Sequence, residues 1–310
     1  MIGAALAAGA FAQPTVYRGA CDASAADALD AQHFVVASDE DNTLRIYRRG
    51  EPMPVRAVDL AGFLATTRDD ESDLEGAARI GSRLYWIGSH GRNARGKSRP
   101  DRQRFFATDA VPGTPPSITP VGSPYAGLLR DLATTPSLSR YRFDEAARRA
   151  PEEDGGLNIE GLAATSAGAL LIGFRSPLAA GRALLVPLEN PAEVVTGARA
   201  RLGAAIELDL GGRGVRDIAR VGDRYYIVAG PPGEVGTFAL YRWSGDSRAA
   251  PELLPGPSFA DMHPEAIFEI PASTSLQILS DDGSMDVGGG MPCKSLPEAQ
   301  RSFRSVTFTP

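Results

Sequence analysis

The chain has 310 residues, is 43% hydrophobic and carries a net charge of −6. This length suits two average domains or one large all-β domain, and it is enough to bury an extensive core. The negative net charge excludes a general attraction to nucleic acid or to an anionic membrane, so any anion binding needs a local basic patch. The 34 glycines and 24 prolines indicate a globular protein with many turns.

The chain begins with a short apolar run that ends in Ala10, Phe11 and Ala12, a small-x-small pattern typical of a signal-peptidase site. The run is too short to span a bilayer, and we predict no membrane span elsewhere. No Lys or Arg precedes it, so residues 1–12 are either the remnant of an export signal or a disordered tail. We expect the export signal, and therefore a periplasmic or secreted protein.

The two cysteines, Cys21 and Cys293, lie near opposite ends of the chain. In an exported protein, such a pair predicts one disulfide that closes a long loop. The alternative is two unrelated buried thiols. No Cys-x-x-Cys or Cys/His spacing supports a zinc site.

Five units with a common outline follow one another along the chain, and each begins with an acidic residue and a short apolar strand. The first unit begins at Cys21 and continues with predicted strands at 33–37, 44–47 and 55–60. Four short strands in one unit are typical of a blade of a β-propeller.

The second unit has predicted strands at residues 73–80, 84–88, 104–107 and 117–121. A non-repeating insertion follows at about residues 122–156. Its composition and the spacing of its leucines predict two short helices, at 125–132 and 143–149. The alternative is that part of residues 107–157 forms a sixth blade.

The third unit begins at Asn158. We predict two strands within residues 158–175 and two more at 183–188 and 205–210. We predict three strands in the fourth unit, at 214–221, 225–230 and 237–243. We predict three more in the fifth unit, at 263–270, 276–283 and 303–308.

The last unit lacks a fourth strand, whereas residues 15–18 form a strand without a unit. Placing this N-terminal strand on the last blade closes the ring and brings Cys21 and Cys293 to one side. The predicted fold is all-β: a single propeller domain over residues 13–310 with five four-stranded blades.

The opening acids of the five units align with one another, and they are Asp22, Glu75, Glu160, Asp217 and Glu265. Because the first strand of each blade lines the channel of a propeller, we expect all five at one channel mouth. There they either bind Ca²⁺ or Mg²⁺, which take oxygen ligands, or they pair with arginines and loop N–H groups as part of the fold.

The loops at the ends of the second strands differ in charge. Asp39 and Asp281 lie in acidic loops, whereas other loops at this mouth are cationic and contain His90, Arg92, Arg175 and Arg213. A mouth with both signs predicts a metal ion beside an anionic substrate group, or salt bridges between blades.

The first hypothesis is therefore a cation-dependent hydrolase of a phosphoester or other ester, with Glu75, His90 and Glu160 as catalytic residues. His90 would serve as the acid or base. Arg92, Arg175, Arg213, Asp39 and Asp281 would contact a small anionic substrate. The alternative is a non-catalytic scaffold that binds a ligand or a protein. We expect no organic cofactor, no nucleic-acid partner and a monomer.

Several segments resemble, in order, those of the bacterial family called domain of unknown function 3616. They include CDASAA, ASDEDN, DLEGAAR, WIGSHGRN, LNIEGLA, LLIGFR, LDLGGRG, HPEA and LSDDG. The resemblance covers nearly everything from Tyr17 to Phe308 and implies a propeller related to phytase-like or esterase-like propellers. It implies no particular activity or catalytic residue.

Overall fold

The computed structural model describes residues 13–67, 70–255, 259, 261–288 and 290–310. In these residues, twenty strands form five antiparallel sheets of four strands each. The first strands of the five sheets contact one another in a closed ring, so the fold is the expected five-bladed β-propeller. The predicted export signal at residues 1–12 lies outside the described residues.

The strands of each blade follow one another from the channel outward. Blade 1 consists of β2 (Ala25–Ala28), β3 (His33–Ala37), β4 (Thr43–Arg48) and β5 (Pro54–Asp59). Blade 2 consists of β6 (Leu74–Ile80), β7 (Arg83–Gly88), β8 (Phe105–Val111) and β9 (Ser117–Tyr125). Blade 3 consists of β10 (Asn158–Ala164), β11 (Leu170–Ala179), β12 (Arg182–Leu188) and β13 (Ile206–Leu208).

Blade 4 consists of β14 (Gly214–Val221), β15 (Arg224–Gly230), β16 (Ala239–Trp243) and β17 (Glu252–Leu253). Blade 5 consists of β18 (Pro264–Glu269), β19 (Leu276–Ser280), β20 (Ser302–Phe308) and the N-terminal β1 (Thr15–Arg18). The two-residue β17 is the one strand of these blades for which we predicted no segment, since so short a strand leaves no pattern.

The helices are short and lie between the strands. The α-helices are α1 (Ala61–Leu64), α2 (Leu128–Thr134), α3 (Phe143–Ala146) and α4 (Pro191–Val194). Single 3₁₀ turns occur at Pro100–Arg102, Cys293–Ser295 and Glu298–Gln300, and a longer one at Pro136–Tyr141. None of the described helices is long and apolar enough to cross a membrane.

The insertion after blade 2 packs on the propeller through its apolar side chains. Leu128, Leu132 and Phe143 are buried in one cluster with residues of blades 2 and 3. The rings of Phe143 and Phe174 stack with their centroids 4.9 Å apart. The two predicted helices are confirmed with different bounds: the first begins and ends later than predicted, and the second ends earlier. Residues 107–157 do not form a sixth blade.

The inner strands lie close together because small residues occur where they meet. A Cβ atom on Gly161 would lie 2.7 Å from Val215 Cγ1, and one on Gly76 would lie 3.1 Å from Leu162 Cβ. Any larger residue at these two positions would push neighbouring strands apart. Burial decreases outward within a blade: every residue of β3 is buried, whereas every residue of β5 is half-buried or exposed.

The N-terminal strand closes the ring as predicted. β1 pairs antiparallel with β20 from Thr15 opposite Ser305 onward. Tyr17 of this strand is buried, and its ring packs against Phe34 and Phe303 at centroid distances of 5.1 and 5.5 Å. The predicted disulfide between Cys21 and Cys293 joins the same two ends, with Cα atoms 5.8 Å apart.

Candidate functional site

Four of the five inner strands carry one extra residue near their N-terminal ends. In β6, Leu74 pairs with Gly88 and Gly76 pairs with Ile87, which leaves Glu75 between two rungs of the ladder. The same register shift occurs at Glu160 in β10, at Arg216 in β14 and at Glu265 in β18. Such β-bulges bend a strand locally and redirect the side chain of the extra residue.

We call this end of the channel the upper mouth. It comprises the four bulge residues and the acids of the adjoining loops, which are Asp22, Asp39, Asp73 and Asp281. The predicted alignment of the opening acids is correct for Glu75, Glu160 and Glu265. It is wrong by one residue for Asp217, because Arg216 occupies the bulge of β14.

Asp217 lies inside the wall of the channel rather than among the upper-mouth acids. Its Oδ2 atom accepts a hydrogen bond from the backbone N–H of Ile267 in the next blade, at 2.8 Å. The residue is 2% exposed, and burial raises the pKa of its carboxyl group well above the usual range. These contacts join two blades and give no support to the metal-ligand role predicted for Asp217.

One half of the upper mouth is a network of ion pairs. Arg216 pairs with Glu160, with Nε 2.9 Å from Oε2, and with Glu265 of the next blade. Glu160 also accepts hydrogen bonds from Arg175 at 3.1 Å and from Asn158 at 2.8 Å. All of these groups are largely buried, where a charge needs a partner of opposite sign. This half matches the structural alternative for the repeated acids.

The other half of the upper mouth is a group of acids that come together from separate loops. Two sets of three carboxylates each have one ligand oxygen per residue within 4.8 Å of the others: Asp39, Asp73 and Glu75 form the first triad, and Asp22, Glu265 and Asp281 form the second. In the first triad, the Oδ1 atom of Asp39 is buried and has no hydrogen-bond partner among the described residues.

The acids of this half are held in a setting that disfavours their charge. Burial raises the pKa of Asp39 to about 8, and the nearby Asp73 carboxylate adds to the rise. The pKa values of Asp22 and Glu75 are raised well above the usual range, first by burial and then by neighbouring carboxylates. Burial raises the pKa of Asp73 to about 6, while Arg102, 2.9 Å away, opposes the rise. A positive charge beside these acids would favour their ionised forms.

The remaining predicted site residues make contacts of their own. Arg92 donates hydrogen bonds to the carbonyl oxygens of Ala147 and Gly96, at 3.0 and 2.9 Å. Arg213 donates to the carbonyl and hydroxyl oxygens of Thr237, at 2.9 and 2.8 Å. These bonds occupy guanidinium donors within the fold, so they do not favour the substrate contacts predicted for the two arginines.

His90 is 2% exposed, and its Nδ1 atom lies 2.8 Å from the carbonyl oxygen of Gly88. Burial lowers the pKa of His90 to about 4, and Arg104 adds to the fall. The carbonyl partner requires the proton on Nδ1, and the Nε2 atom has no hydrogen-bond partner in the described part of the chain. No upper-mouth acid contacts this ring among the hydrogen bonds and ion pairs of the described residues, so acid or base catalysis by His90 stays a prediction without geometric support.

Asp73 was not predicted as a site residue. It stands two residues before Glu75 and adopts a left-handed backbone conformation with φ of 51°. Its carboxylate then reaches both the first triad and Arg102. The sequence signal for Asp73 was an acid directly before the strand, in addition to Glu75. The other two units with a bulge glutamate have no acid at this position, so the signal is not part of the repeat.

The donor atoms of both triads are all carboxylate oxygens. Oxygens within 4.8 Å of one another can contact one Ca²⁺ ion together, because Ca–O distances are about 2.4 Å. Oxygen-only sets suit hard cations such as Ca²⁺ and Mg²⁺, whereas protein zinc sites prefer nitrogen and sulfur ligands. The residues of the upper mouth therefore fit the predicted class of cation.

A search of curated proteins found no match to the chain. Among solved structures, the glutaminyl cyclase of Myxococcus xanthus is 12% identical, with a TM-score of 0.50 and coverage of 97% of each chain. The PQQ-bound aldose sugar dehydrogenase of Streptomyces coelicolor is 13% identical, with a TM-score of 0.45 and coverage of 96% of this chain and 99% of the other. At such low identity the likeness concerns the fold alone. The family model described as protein of unknown function (DUF3616) matches residues 22–110 and 124–277, more than half of the sequence, and the chain therefore belongs to this family.

Proposed function

We propose that the upper mouth binds a divalent cation, Ca²⁺ or Mg²⁺, on Asp39, Asp73 and Glu75. The observation that carries this proposal is the convergence of one buried and two half-buried carboxylates, one of which has a buried oxygen without a partner among the described residues. Burial raises the pKa of all three, so a bound cation would remove an unfavourable clustering of charge.

The first triad is the better cation site of the two. Glu265 of the second triad is already paired with Arg216. Asp22 of the same triad accepts a hydrogen bond from the hydroxyl of Ser24 at 2.7 Å. In the first triad, by contrast, Asp39 keeps a buried oxygen available.

We propose further that the cation serves hydrolysis of a phosphoester or other ester of a small anionic molecule. A bound divalent cation lowers the pKa of a water ligand and neutralises negative charge on the substrate. Ser24 connects Asp22 to Asp39: its hydroxyl group donates a hydrogen bond to Asp22 Oδ1 at 2.7 Å and accepts one from the backbone N–H of Asp39 at 3.1 Å. Burial also raises the pKa of Asp22. Asp22 is thus the carboxyl group best placed to exchange a proton with such a water, the role predicted from sequence for His90.

Thermal unfolding with Ca²⁺, with Mg²⁺ and with chelator tests the cation site. A cation that binds only the folded state raises its stability, by about 2.7 kcal/mol at a hundredfold excess over Kd. The double variant Asp39→Asn, Glu75→Gln is expected to lose this stabilisation. Asp223→Asn, an acid that is 88% exposed in a turn of blade 4, is the matched control and should retain it. No stabilisation of the wild type at saturating cation would contradict the site.

A panel of phosphatase and esterase substrates, assayed with the stabilising cation, tests the hydrolase. Turnover that requires the cation and is lost in Asp22→Asn is the expected result. A wild type that binds the cation but is inactive on every substrate would rule out the enzyme for these classes.

The second candidate function is a non-catalytic binding scaffold. It is favoured by the ion-paired half, in which Glu160 and Glu265 are committed to Arg216. In addition, Arg175 donates to the carbonyl oxygens of Pro231 and Gly233, at 3.2 and 2.7 Å. Cation binding without turnover would favour this function.

We also propose that the protein acts outside the cytoplasm. The support is the disulfide between Cys21 and Cys293, since structural disulfides persist mainly in oxidising compartments. Mass spectrometry of the protein from fractionated cells, with and without thiol alkylation, tests this. A fully alkylated pair in protein from the cytoplasmic fraction would contradict it.

A further inference from the structure

The opposite end of the channel, which we call the lower mouth, is a cavity of about 450 Å³. It is lined by the last residues of all five inner strands and by the turns at Gly81 and Ala272. Its volume lies within the range of about 300 to 1,000 Å³ that is usual for small-molecule sites. None of the residues predicted for the upper mouth lines it.

Small side chains keep the lower mouth open. The inner strands present Ala26, Ala78, Ala163 and Ala219 to the cavity. In the upper half of the same strands, arginine and glutamate side chains occupy the channel. The lower mouth therefore has room for a ligand, while the ion-paired half of the upper mouth is filled by protein.

Two acidic residues line the cavity, Asp27 of β2 and Glu269 of β18. The Oδ1 atom of Asp27 accepts a hydrogen bond from the backbone N–H of Ala28 at 2.7 Å. Burial raises the pKa of Asp27 to about 6, so the carboxyl group is mostly ionised at neutral pH but poorly solvated. Such a carboxylate favours a ligand that brings a positive charge and N–H donors.

Apolar side chains form the floor of the cavity, and a buried carboxyl group lies beside them in the channel wall. Leu162, Ile218 and Ile267 line the cavity, and Asp217 accepts a hydrogen bond from the N–H of Ile267. The Oδ1 atom of Asp217 is buried and has no hydrogen-bond partner among the described residues. Asp217 and Asp27 are close enough for their charges to interact.

Two arginines at the rim of the cavity differ in their hydrogen bonding. Arg79 is committed to the protein, since it donates hydrogen bonds to the carbonyl oxygens of Ala28, Leu29 and Gly81 at 2.9, 3.0 and 2.7 Å. Arg220 lines the cavity and is partly buried. Within the described residues its guanidinium group forms no ion pair or hydrogen bond, although its charge acts on the nearby Glu269.

We propose that the lower mouth binds a small zwitterion of the amino-acid class. Its ammonium group would donate hydrogen bonds to Asp27, and its carboxylate would accept them from the guanidinium of Arg220. An ammonium group has three donors and no acceptor, which suits a carboxylate with free lone pairs. A guanidinium group binds a carboxylate through two parallel hydrogen bonds. This site is separate from the upper mouth and does not depend on the function proposed there.

Isothermal titration calorimetry with the standard free L-amino acids tests this proposal. The titrations are done in chelator, so that their outcome is independent of the upper mouth. For the amino acid that binds best, the amine that lacks its carboxyl group and the acid that lacks its amino group are the matched probes. We expect each to bind at least about tenfold more weakly than the amino acid, because each loses one charged contact.

Variants identify the site. Asp27→Asn and Arg220→Gln should each weaken binding about tenfold or more, because each removes one charged contact. The control is Arg224→Gln, because Arg224 is the first residue of β15, is half exposed and pairs with Asp223. Circular dichroism of each variant shows that it is folded.

Three results would overturn the proposal. The first is the absence of binding by any standard amino acid at millimolar concentration to the folded wild type. The second is unchanged affinity in the folded variants Asp27→Asn and Arg220→Gln. The third is an amine probe that binds as tightly as its parent amino acid, since the carboxylate would then make no contact with Arg220.

Discussion

The two mouths of the channel are built from the same five strands but have opposite characters. At the upper mouth, four of these strands carry a bulge, and the extra residue is a glutamate or an arginine. At the lower mouth the ladders are regular, and alanine is the most frequent residue around a cavity of about 450 Å³. The two mouths thus differ for two reasons. A one-residue bulge places charged side chains at the upper mouth, and small side chains leave the lower mouth open.

The largest expected effect concerns the ion-paired half of the upper mouth. Arg216→Met removes the cation shared by Glu160 and Glu265 and leaves both buried carboxylates with less compensation. Breaking a buried ion pair by removing one partner costs about 3–5 kcal/mol. We expect a loss of this size in the free energy of unfolding, measured by urea denaturation in chelator.

The control for this variant is Arg242→Gln, which removes an exposed ion pair with Glu252. Exposed pairs contribute about 1 kcal/mol or less. If Arg216→Met cost no more than this control, the ion-paired half would not be a structural element of the ring.

The disulfide tests whether the two mouths are independent. Cys21 precedes Asp22, and its carbonyl oxygen accepts a hydrogen bond from the N–H of Asp282 at 2.9 Å. The variant Cys21→Ser, Cys293→Ser is expected to lose about 2–5 kcal/mol of stability. Cation affinity at the upper mouth should fall as well, while amino-acid affinity at the lower mouth should not change. Calorimetry with both ligands distinguishes these effects, and an equal loss at both mouths would contradict their independence.

A substitution in the channel wall between the two mouths is expected to have a smaller effect on stability. Gly161→Ala adds a Cβ atom 2.7 Å from Val215 Cγ1, where two inner strands meet. Overpacking of this kind costs about 1–3 kcal/mol. Gly62→Ala is the matched control, because a Cβ atom there would meet nothing within 4 Å. Thermal unfolding of both variants measures the difference, and equal stabilities would show that the wall can expand.

The smallest expected effect is a dependence of stability on pH at the lower mouth. Burial raises the pKa of Asp27 from its usual value near 3.8 to about 6. The neutral form therefore stabilises the folded state below about pH 4, and this contribution is lost as the pH rises through about 6. Its size is on the order of 1 kcal/mol, because the cavity leaves Asp27 partly exposed.

Asp27→Asn should remove this dependence. The carboxylates of Glu269 and Asp217 and the guanidinium groups of Arg79 and Arg49 also act on Asp27, and they are unchanged in the variant. The difference in melting temperature between variant and wild type should therefore grow in favour of the variant from about pH 4 to about pH 7. A difference that stays constant over this range would contradict the raised pKa.

Much of the fold could be predicted because each blade repeats a local pattern. Apolar strands separated by turns indicated five units, and the unpaired N-terminal strand indicated how the ring closes. The pairing of Cys21 with Cys293 is consistent with that closure and is confirmed. The two-residue strand β17 could not be predicted, because its pairing with β16 depends on the neighbouring strand rather than on its own sequence.

The candidate site could be predicted only in part. The sequence by itself determined that acids begin the units, and it correctly placed Glu75, Glu160 and Glu265 at one end of the channel. Only the tertiary structure decided which of them face an arginine and which face other acids, because Arg216 occupies the bulge that the alignment assigned to Asp217. The physical reason is that a bulge changes register by one residue, and a side chain's charge balance depends on neighbours from other blades that are distant in sequence.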